Sequence, residues 1–172
     1  MVVAHKVGIS LFVTGGIGGV HRGGENSLDI SADLTELGRT PVAVVSAGIK
    51  SILDVGRTLE FLETQGVCVS VWGPDHTFPD FFTQDSGFKA PCHVETPHQA
   101  ALLIDKWKEL EYQSGMLIAV PIPSKYEAEG QLIKSAIETA VQEAASAVSG
   151  RDVTPYILQR VFEITGGHSL QS

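Results

Sequence analysis

A glycine-rich stretch, FVTGGIGGVHRGGE (Phe12 to Glu25), follows an apolar segment and contains six glycines. Backbone N–H groups of such a loop can form a concavity that binds an anion. The guanidinium of Arg22 would add bidentate charge for a phosphate, or else it forms a surface ion pair with Glu25. The spacing matches neither GxGxxG, because His21 stands at the third glycine, nor the P-loop pattern, because Gly24 replaces the lysine. The residues alone leave ligand binding and a simple turn as open alternatives.

Oxygen-bearing side chains follow in SLDISADLTEL. If this segment opens a helix, Asp29 and Asp33 lie four residues apart on one side and share a hydrated divalent cation, which prefers oxygen ligands. The alternative is helix capping by Asp29 or Ser31. The residues themselves favour capping.

A lysine, Lys50, comes directly after a buried apolar run in VVSAGIKSILD. The carboxyl ends of strands are where open α/β sheets bind ligands. Partial desolvation there would favour the neutral amine and make Lys50 a nucleophile. The alternative is a lysine at a helix start that reaches into solvent.

The elements that must position these residues alternate along the chain. Apolar runs predict strands at Val7 to Val13, Val42 to Val45, Val67 to Trp72 and Gly115 to Val120. Helical spacing predicts helices over SLDISADLTELGR, from Ser51 to Gly66, from Pro97 to Leu110, around Ile133 to Val141, and from the Thr154 cap to Gly166, with an irregular loop from Thr77 to Cys92. This alternation predicts an α/β fold around a largely parallel sheet.

Composition limits the function further. The chain has 172 residues, a net charge of -8 and no long basic run, which argues against nucleic-acid binding. Its two cysteines form no CxxC, as expected for reduced thiols. No signal peptide and no apolar run long enough for a membrane span are evident. A soluble intracellular domain is expected.

Taken together, these segments resemble the pseudouridine-5′-phosphate glycosidase family, also called the indigoidine synthase A-like family. The resemblance rests on FVTGGIGGVHRGGENSLDISADLTELGRTPVAVVSAGIKSILD and continues through TLEFLETQGV, FPDFFT, PIP and VTPYILQRVFEITGGHSL. It implies a layered α/β/α fold around a largely parallel sheet, with residues 1–172 forming one partial domain. The fold is expected to be incomplete, because an N-terminal part and a C-terminal end of the family have no counterpart here.

The resemblance also implies a reaction. Pseudouridine 5′-phosphate and water give uracil and ribose 5-phosphate, reversibly, by cleavage of a carbon–carbon glycosidic bond. Lys50 matches the lysine that forms a covalent Schiff-base adduct with the opened ribose. Asp29 matches the residue that carries a divalent metal, typically Mn²⁺. Ser31, Ala32 and Asp33 match the substrate-contacting stretch, so the resemblance overrides the capping preference.

Departures from the family pattern indicate an alternative function for this chain. The acidic proton donor and a substrate-binding lysine of the family are not matched, and Val120 stands where the family has the asparagine of NPIP. The chain is therefore either a working C-glycosidase or a catalytically inactive fragment that binds sugar phosphate or aids assembly. The resemblance further implies a homotrimer and a cytoplasmic location, and leaves import into an organelle open.

Overall fold

The computed structural model describes residues 1–148 and 153–167. Its strands are β1 (Leu11–Val13), β2 (Val20–His21), β3 (Ala43–Ser46), β4 (Leu53–Asp54), β5 (Cys68–Trp72), β6 (Cys92–Val94) and β7 (Met116–Ala119). Its helices are α1 (Val2–Lys6), α2 (Gly24–Ser27), α3 (Ala32–Leu37), α4 (Val55–Thr64), α5 (Pro97–Glu109), α6 (Glu127–Ala147) and α7 (Val153–Ile164), with a 3₁₀ turn at Ser124–Tyr126.

A five-stranded parallel sheet in the order β1-β3-β7-β5-β6 forms the centre. One face buries Val44 and Leu117 in a cluster that includes Leu34 of α3 and Leu62 of α4. The other face packs against α5, whose apolar side chains join a cluster that includes Met116. Because successive strand residues point to opposite faces, continuous apolar runs fill both layers. The predicted α/β/α layering around a parallel sheet is confirmed.

A third cluster joins the two C-terminal helices. Ile133 and Ile137 of α6 pack with Ile157 and Val161 of α7. Across the same contact, the Arg160 guanidinium binds the Glu143 carboxylate, with Nε to Oε2 at 2.5 Å and Nη2 to Oε1 at 3.2 Å. This bidentate pair holds the end of α6 to α7.

Short elements differ from the sequence prediction. The helix expected from Ser51 begins at Val55, because Leu53–Asp54 instead pairs antiparallel with β2 and Asp54 caps α4 by accepting from the Arg57 N–H. The strand expected from Val7 covers only Leu11–Val13, and the helix Val2–Lys6 precedes it. Strand β6 was not predicted, since it contributes only three residues. Helix α7 begins one residue before the expected Thr154 cap.

The edge of the sheet formed by β1 is uncovered. Strand β1 lies at the end of the strand order, and Leu11, Phe12 and Val13 are all exposed. Helix α1 has no buried residue. Within the described ranges, no helix combines the length and the apolarity needed to cross a bilayer.

Candidate functional site

The candidate nucleophile lies beyond the carboxyl end of β3, on a segment bound to the glycine-rich loop. The Ala47 N–H donates to the Gly15 carbonyl at 2.9 Å and the Ile17 N–H donates to the Gly48 carbonyl at 3.0 Å. The Lys50 N–H then donates to the Ile17 carbonyl at 3.1 Å. These alternating bonds fix the Lys50 backbone at the sheet edge where α/β proteins bind ligands.

The Lys50 side chain itself is exposed. Partial desolvation was predicted from its place after a buried strand, and for this chain that prediction is wrong. Lys50 stands four residues beyond Ser46, the last residue of β3, and therefore projects outside the packed layers. Its role as nucleophile stays a prediction.

Residues 31–33 meet the glycine-rich loop directly. The Ser31 hydroxyl caps α3 by accepting from the Asp33 N–H at 3.3 Å, so the predicted capping by Ser31 is confirmed. The Asp33 carboxylate accepts from the Gly18 N–H at 2.8 Å. A Cβ at Gly18 would stand 2.1 Å from Ser31 Oγ and 2.9 Å from Asp33 Oδ2. Glycine is needed here because protein atoms, rather than open space, occupy that side of the loop.

Ala32 is the first residue of α3 and is exposed beside these two side chains. The three residues predicted to contact substrate therefore form one short surface at the start of α3. Their contact with substrate stays a prediction.

Asp29 stands apart from that helix. Its carboxylate is exposed and Oδ2 lies 3.6 Å from His21 Nδ1, while its carbonyl accepts from the His21 N–H at 2.9 Å. The predicted sharing of one helix side by Asp29 and Asp33 is wrong, because α3 begins only at Ala32. Asp29 therefore meets the glycine-rich loop through His21, whereas Asp33 meets it through Gly18.

The side chains that surround Asp29 restrict which metal ion could bind there. Among residues 1–148 and 153–167, no three His, Cys, Asp or Glu side chains come together in a metal-binding arrangement. A tetrahedral zinc centre needs three or four such ligands. A hydrated Mg²⁺-like or Mn²⁺ ion needs only one or two carboxylates, with water and substrate oxygens completing the shell. Asp29 fits the second type.

Arg22 turns toward the segment that carries Lys50 and Ser51. Its Nη2 donates to the Ser51 carbonyl at 3.2 Å. Glu25 instead pairs with Arg57 at 2.8 Å, so the alternative interpretation of an Arg22–Glu25 ion pair is wrong. The adjacent His21 and Arg22 thus reach the two segments that carry Asp29 and Lys50.

The sequence alone did not single out His21, or the aromatic pair Phe81 and Phe82, as candidate site residues. Phe81 and Phe82 line a cavity that also includes Ile122 and Pro123 of the PIP loop. The sequence signal for Phe81 and Phe82 was the FPDFFT segment, which is part of the family resemblance but had no role assigned to it.

This geometry defines an α/β protein with a lysine and a glycine-rich loop at the carboxyl edge of a parallel sheet. The sequence model of the family described as "Indigoidine synthase A like protein" matches residues 1–172. The chain belongs to this family.

Curated relatives are consistent with this family assignment. The chain is 55% identical over 168 residues to the pseudouridine-5′-phosphate glycosidase of Arabidopsis thaliana, covering 97% of this chain and 51% of the plant protein. It is 50% identical to that of Methylobacterium nodulans, covering 100% of this chain and 51% of that protein. The chain therefore spans about half the length of these curated relatives.

Two solved structures are similar in fold. The prealnumycin C-glycosynthase in complex with ribulose 5-phosphate superposes with a TM-score of 0.88 at 32% identity, covering 99% of this chain and 56% of that one. An indigoidine synthase A-like protein from Thermotoga maritima gives a TM-score of 0.81 at 35% identity, covering 99% of this chain and 55% of that one.

Proposed function

We propose that this chain supplies the nucleophile-bearing part of a pseudouridine-5′-phosphate glycosidase. The reaction is the reversible cleavage of pseudouridine 5′-phosphate by water to uracil and ribose 5-phosphate. The names of the curated relatives support this substrate, and the ribulose 5-phosphate in the C-glycosynthase structure supports a sugar-phosphate ligand for the fold.

One structural observation carries the proposal. The glycine-rich loop is hydrogen-bonded on one side to Lys50, through the Ile17 carbonyl, and on the other to Asp33, through the Gly18 N–H. The backbone of the candidate nucleophile and the carboxylate of a candidate substrate-binding residue are therefore bound to two adjacent residues, Ile17 and Gly18. A covalent mechanism requires such fixed relative positions, because misplacement of the reacting groups is costly in rate.

Lys50 is proposed to act through its neutral amine. The bond between the ring oxygen and the sugar carbon that carries uracil breaks, and the oxygen takes a proton. The amine nitrogen then bonds to that carbon and loses a proton. When the carbon–carbon bond breaks, the uracil carbon keeps the electron pair and takes a proton from a general acid. The sugar carbon remains as an iminium ion, which water hydrolyses to release ribose 5-phosphate and the free amine. Paired carboxylates, as in ordinary glycosidases, protonate an oxygen leaving group and do not suit a carbon one.

Asp29 is proposed to hold Mn²⁺ with water completing the shell, and His21 to orient the Asp29 carboxylate. When bound, the ion supplies positive charge to substrate oxygens. Ser31, Ala32 and Asp33 are proposed to contact the substrate at the start of α3.

We also propose that the protein acts as a homotrimer in the cytoplasm. Both cysteines are free, which suits a reducing compartment. The exposed apolar residues of β1 provide uncovered surface for association. Light scattering of the purified chain measures the assembly, and a monomer at all concentrations would contradict it.

The decisive experiment combines turnover with trapping. The chain is incubated with pseudouridine 5′-phosphate and Mn²⁺ for uracil release, and with ribose 5-phosphate and borohydride for a mass shift at Lys50. Lys50→Ala should abolish both signals, whereas Lys108→Ala, an exposed lysine on α5, should keep them. Trapping without uracil release would support the inactive sugar-phosphate-binding alternative. Absence of both signals from folded protein would refute the proposal.

A further inference from the structure

Strand β1 forms an open edge of the central sheet. Among the described residues, its one strand neighbour is β3. Helix α1 begins two strands away from this edge, because Met1 Cε would stand 3.1 Å from a Cβ at Gly115, the residue before β7. The loop after β1 turns inward, where Ile17 forms a parallel bridge with Ile49. The outer side of β1 is therefore left uncovered.

The hydrogen bonds to β3 determine which backbone groups of β1 point outward. The Ser10 carbonyl accepts from β3 at 2.9 Å, and the Thr14 N–H donates to β3 at 3.0 Å. Because the bonding direction alternates along a strand, Phe12 also bonds toward β3, whereas the N–H and C=O groups of Leu11 and Val13 point outward. No strand in the described part of the chain pairs with these outward groups.

The side chains of β1 are apolar and partly exposed on both faces of the sheet. Leu11, Phe12 and Val13 are 47%, 41% and 68% exposed. Phe12 shares a face with its register partner Val44, and Leu11 and Val13 therefore lie on the opposite face. A strand added to β1 would bury apolar area on both faces in addition to forming backbone hydrogen bonds.

Strand β6, at the other end of the sheet, has features that discourage strand pairing. Pro91 precedes this strand and Glu95 follows it. Natural sheets use proline and charge at their edges in this way. From Val7 to Val20, in contrast, the sequence has no proline and no charged residue. The chain therefore protects one edge of its sheet and leaves the other open to pairing.

We propose that β1 pairs antiparallel with β1 of a second copy of this chain, about a two-fold axis beside Phe12. Leu11 then exchanges backbone hydrogen bonds with Val13 of the second copy, and Val13 does the same with Leu11 of that copy. The two Phe12 side chains meet in a non-hydrogen-bonded pair, where cross-strand side chains are closest and aromatic pairs are stabilising. The central sheet becomes continuous across the two copies.

The strand is self-complementary, and this favours a second copy as the occupant. Its outward backbone groups lie symmetrically on either side of Phe12, and the pairing brings no like charges together. A two-fold contact uses the same surface on both molecules and closes with two copies. It is therefore distinct from the three-fold association proposed above and independent of the proposed reaction. By itself it gives dimers, and it joins trimers in pairs where both contacts form.

The first test is cross-linking at the two-fold axis, in a chain that carries Cys68→Ser and Cys92→Ser. Cα atoms of a non-hydrogen-bonded antiparallel pair lie about 4.5 Å apart, within the range of about 4.4–6.8 Å that a disulfide needs. Phe12→Cys should therefore form a disulfide-linked dimer with oxidised glutathione. Leu110→Cys, an exposed apolar position at the end of α5, is the control and should stay monomeric on a denaturing gel.

The register is tested with two further variants. Leu11→Cys faces Val13 of the second copy, so it should cross-link with Val13→Cys in a mixture and not with itself. Mass spectrometry of the linked peptides distinguishes the two products. Self-linkage of Leu11→Cys at the efficiency of Phe12→Cys would overturn the proposed pairing about Phe12.

The second test is sedimentation of the chain over a range of concentrations. Val13→Pro removes an outward N–H and leaves the bonds to β3 intact, a position where edge strands tolerate proline. It should weaken the association by about tenfold or more, since backbone hydrogen bonds to the second copy are lost. Val13→Lys, which places a charge on the same edge, should act in the same direction and serves if the proline variant does not fold. Leu110→Lys is the control, and thermal melting verifies each fold.

Two results would overturn the proposal. One is an assembly that Val13→Pro and Val13→Lys leave unchanged and that Phe12→Cys does not cross-link, because the copies then meet through another surface. The other is a native chain that stays monomeric at every concentration. The edge of β1 would then be left for a strand from another source, such as the part of the longer relatives that this chain does not match.

Discussion

Arg22 donates from Nη2 to the carbonyl oxygen of Ser51 at 3.2 Å, and Ser51 directly follows Lys50. His21, the residue before Arg22, has its Nδ1 atom 3.6 Å from Oδ2 of the Asp29 carboxylate. One dipeptide in the glycine-rich loop therefore connects the segment of the candidate nucleophile with that of the candidate metal ligand.

Arg22→Ala should slow borohydride trapping of ribose 5-phosphate at Lys50 by about tenfold, because a hydrogen bond from a charged donor to the nucleophile segment is lost. Arg22→Lys should recover part of the rate. The control is Arg39→Ala, which removes an exposed cation paired with Glu36 at the end of α3. Equal slowing by both alanine variants, or a parallel fall in melting temperature, would mean that Arg22 has no positioning role.

Asp29→Asn should lower Mn²⁺ affinity by at least about tenfold, since the amide lacks the charge of the single carboxylate offered to the ion. Electron paramagnetic resonance of free Mn²⁺ measures the affinity without any turnover. Asp105→Asn, at an exposed position of α5, serves as the control. Unchanged binding in Asp29→Asn would remove this residue from the metal site.

Gly18→Ala should destabilise the fold by about 1–3 kcal/mol, because the added methyl group overlaps Ser31 Oγ and the neighbouring atoms are already packed. Gly15→Ala is the matched control, since a Cβ there meets no atom within 4 Å. Chemical denaturation compares the two free energies of unfolding. Similar stabilities for the two variants would contradict the close contact between the loop and α3.

The contact between α6 and α7 should weaken in acid. The Arg160 guanidinium lowers the pKa of Glu143 below its ordinary value of 4.5. A carboxylate with a lowered folded-state pKa stabilises the fold above its unfolded pKa, and that contribution is lost as pH falls through the folded value. Thermal melting should therefore separate native chain from Glu143→Gln at neutral pH and bring the two together well below pH 4.5. A constant difference at all pH values would exclude this ion pair as the cause, and Glu138→Gln serves as control.

Cys68 should resist alkylation. Burial, with a smaller contribution from Cys92, raises the pKa of the Cys68 thiol from 9.0 to about 12. The thiolate is the nucleophile, so little of the reactive form exists at about pH 8. In Cys92→Ser, iodoacetamide should modify Cys68 far more slowly in the native state than in denaturant, as measured by mass spectrometry. Comparable rates in both states would contradict the burial.

The core strands were predictable from sequence because they are buried on both faces. Val42–Val45 and Gly115–Val120 are continuous apolar runs; β3 overlaps the first and ends one residue beyond it, and β7 lies within the second. Pairs such as β2 and β4 contribute two residues each, too few to produce a period. They form because tertiary contacts bring the segments together.

The candidate site was predictable only in its residue types. Lys50, Asp29, Ser31 and Asp33 stand out by residue type and Ala32 only through the family resemblance, and their roles stay predictions. Their arrangement depends on hydrogen bonds between distant segments. The contact between Gly18 and Asp33 spans fifteen residues, and that between Arg22 and Ser51 spans twenty-nine. No local pattern encodes such pairs. The predicted desolvation of Lys50 was wrong for the same reason, because distant segments that pack over a residue decide whether it is buried.

The uncovered strand β1 also decides how this protein must be handled. Natural sheets protect their outer strands with charge, proline or a covering element, whereas Leu11, Phe12 and Val13 leave this one apolar and exposed. Each molecule in a concentrated solution thus offers its neighbours a template for strand addition. A purified sample should aggregate faster as its concentration rises, and Phe12→Lys should slow this aggregation.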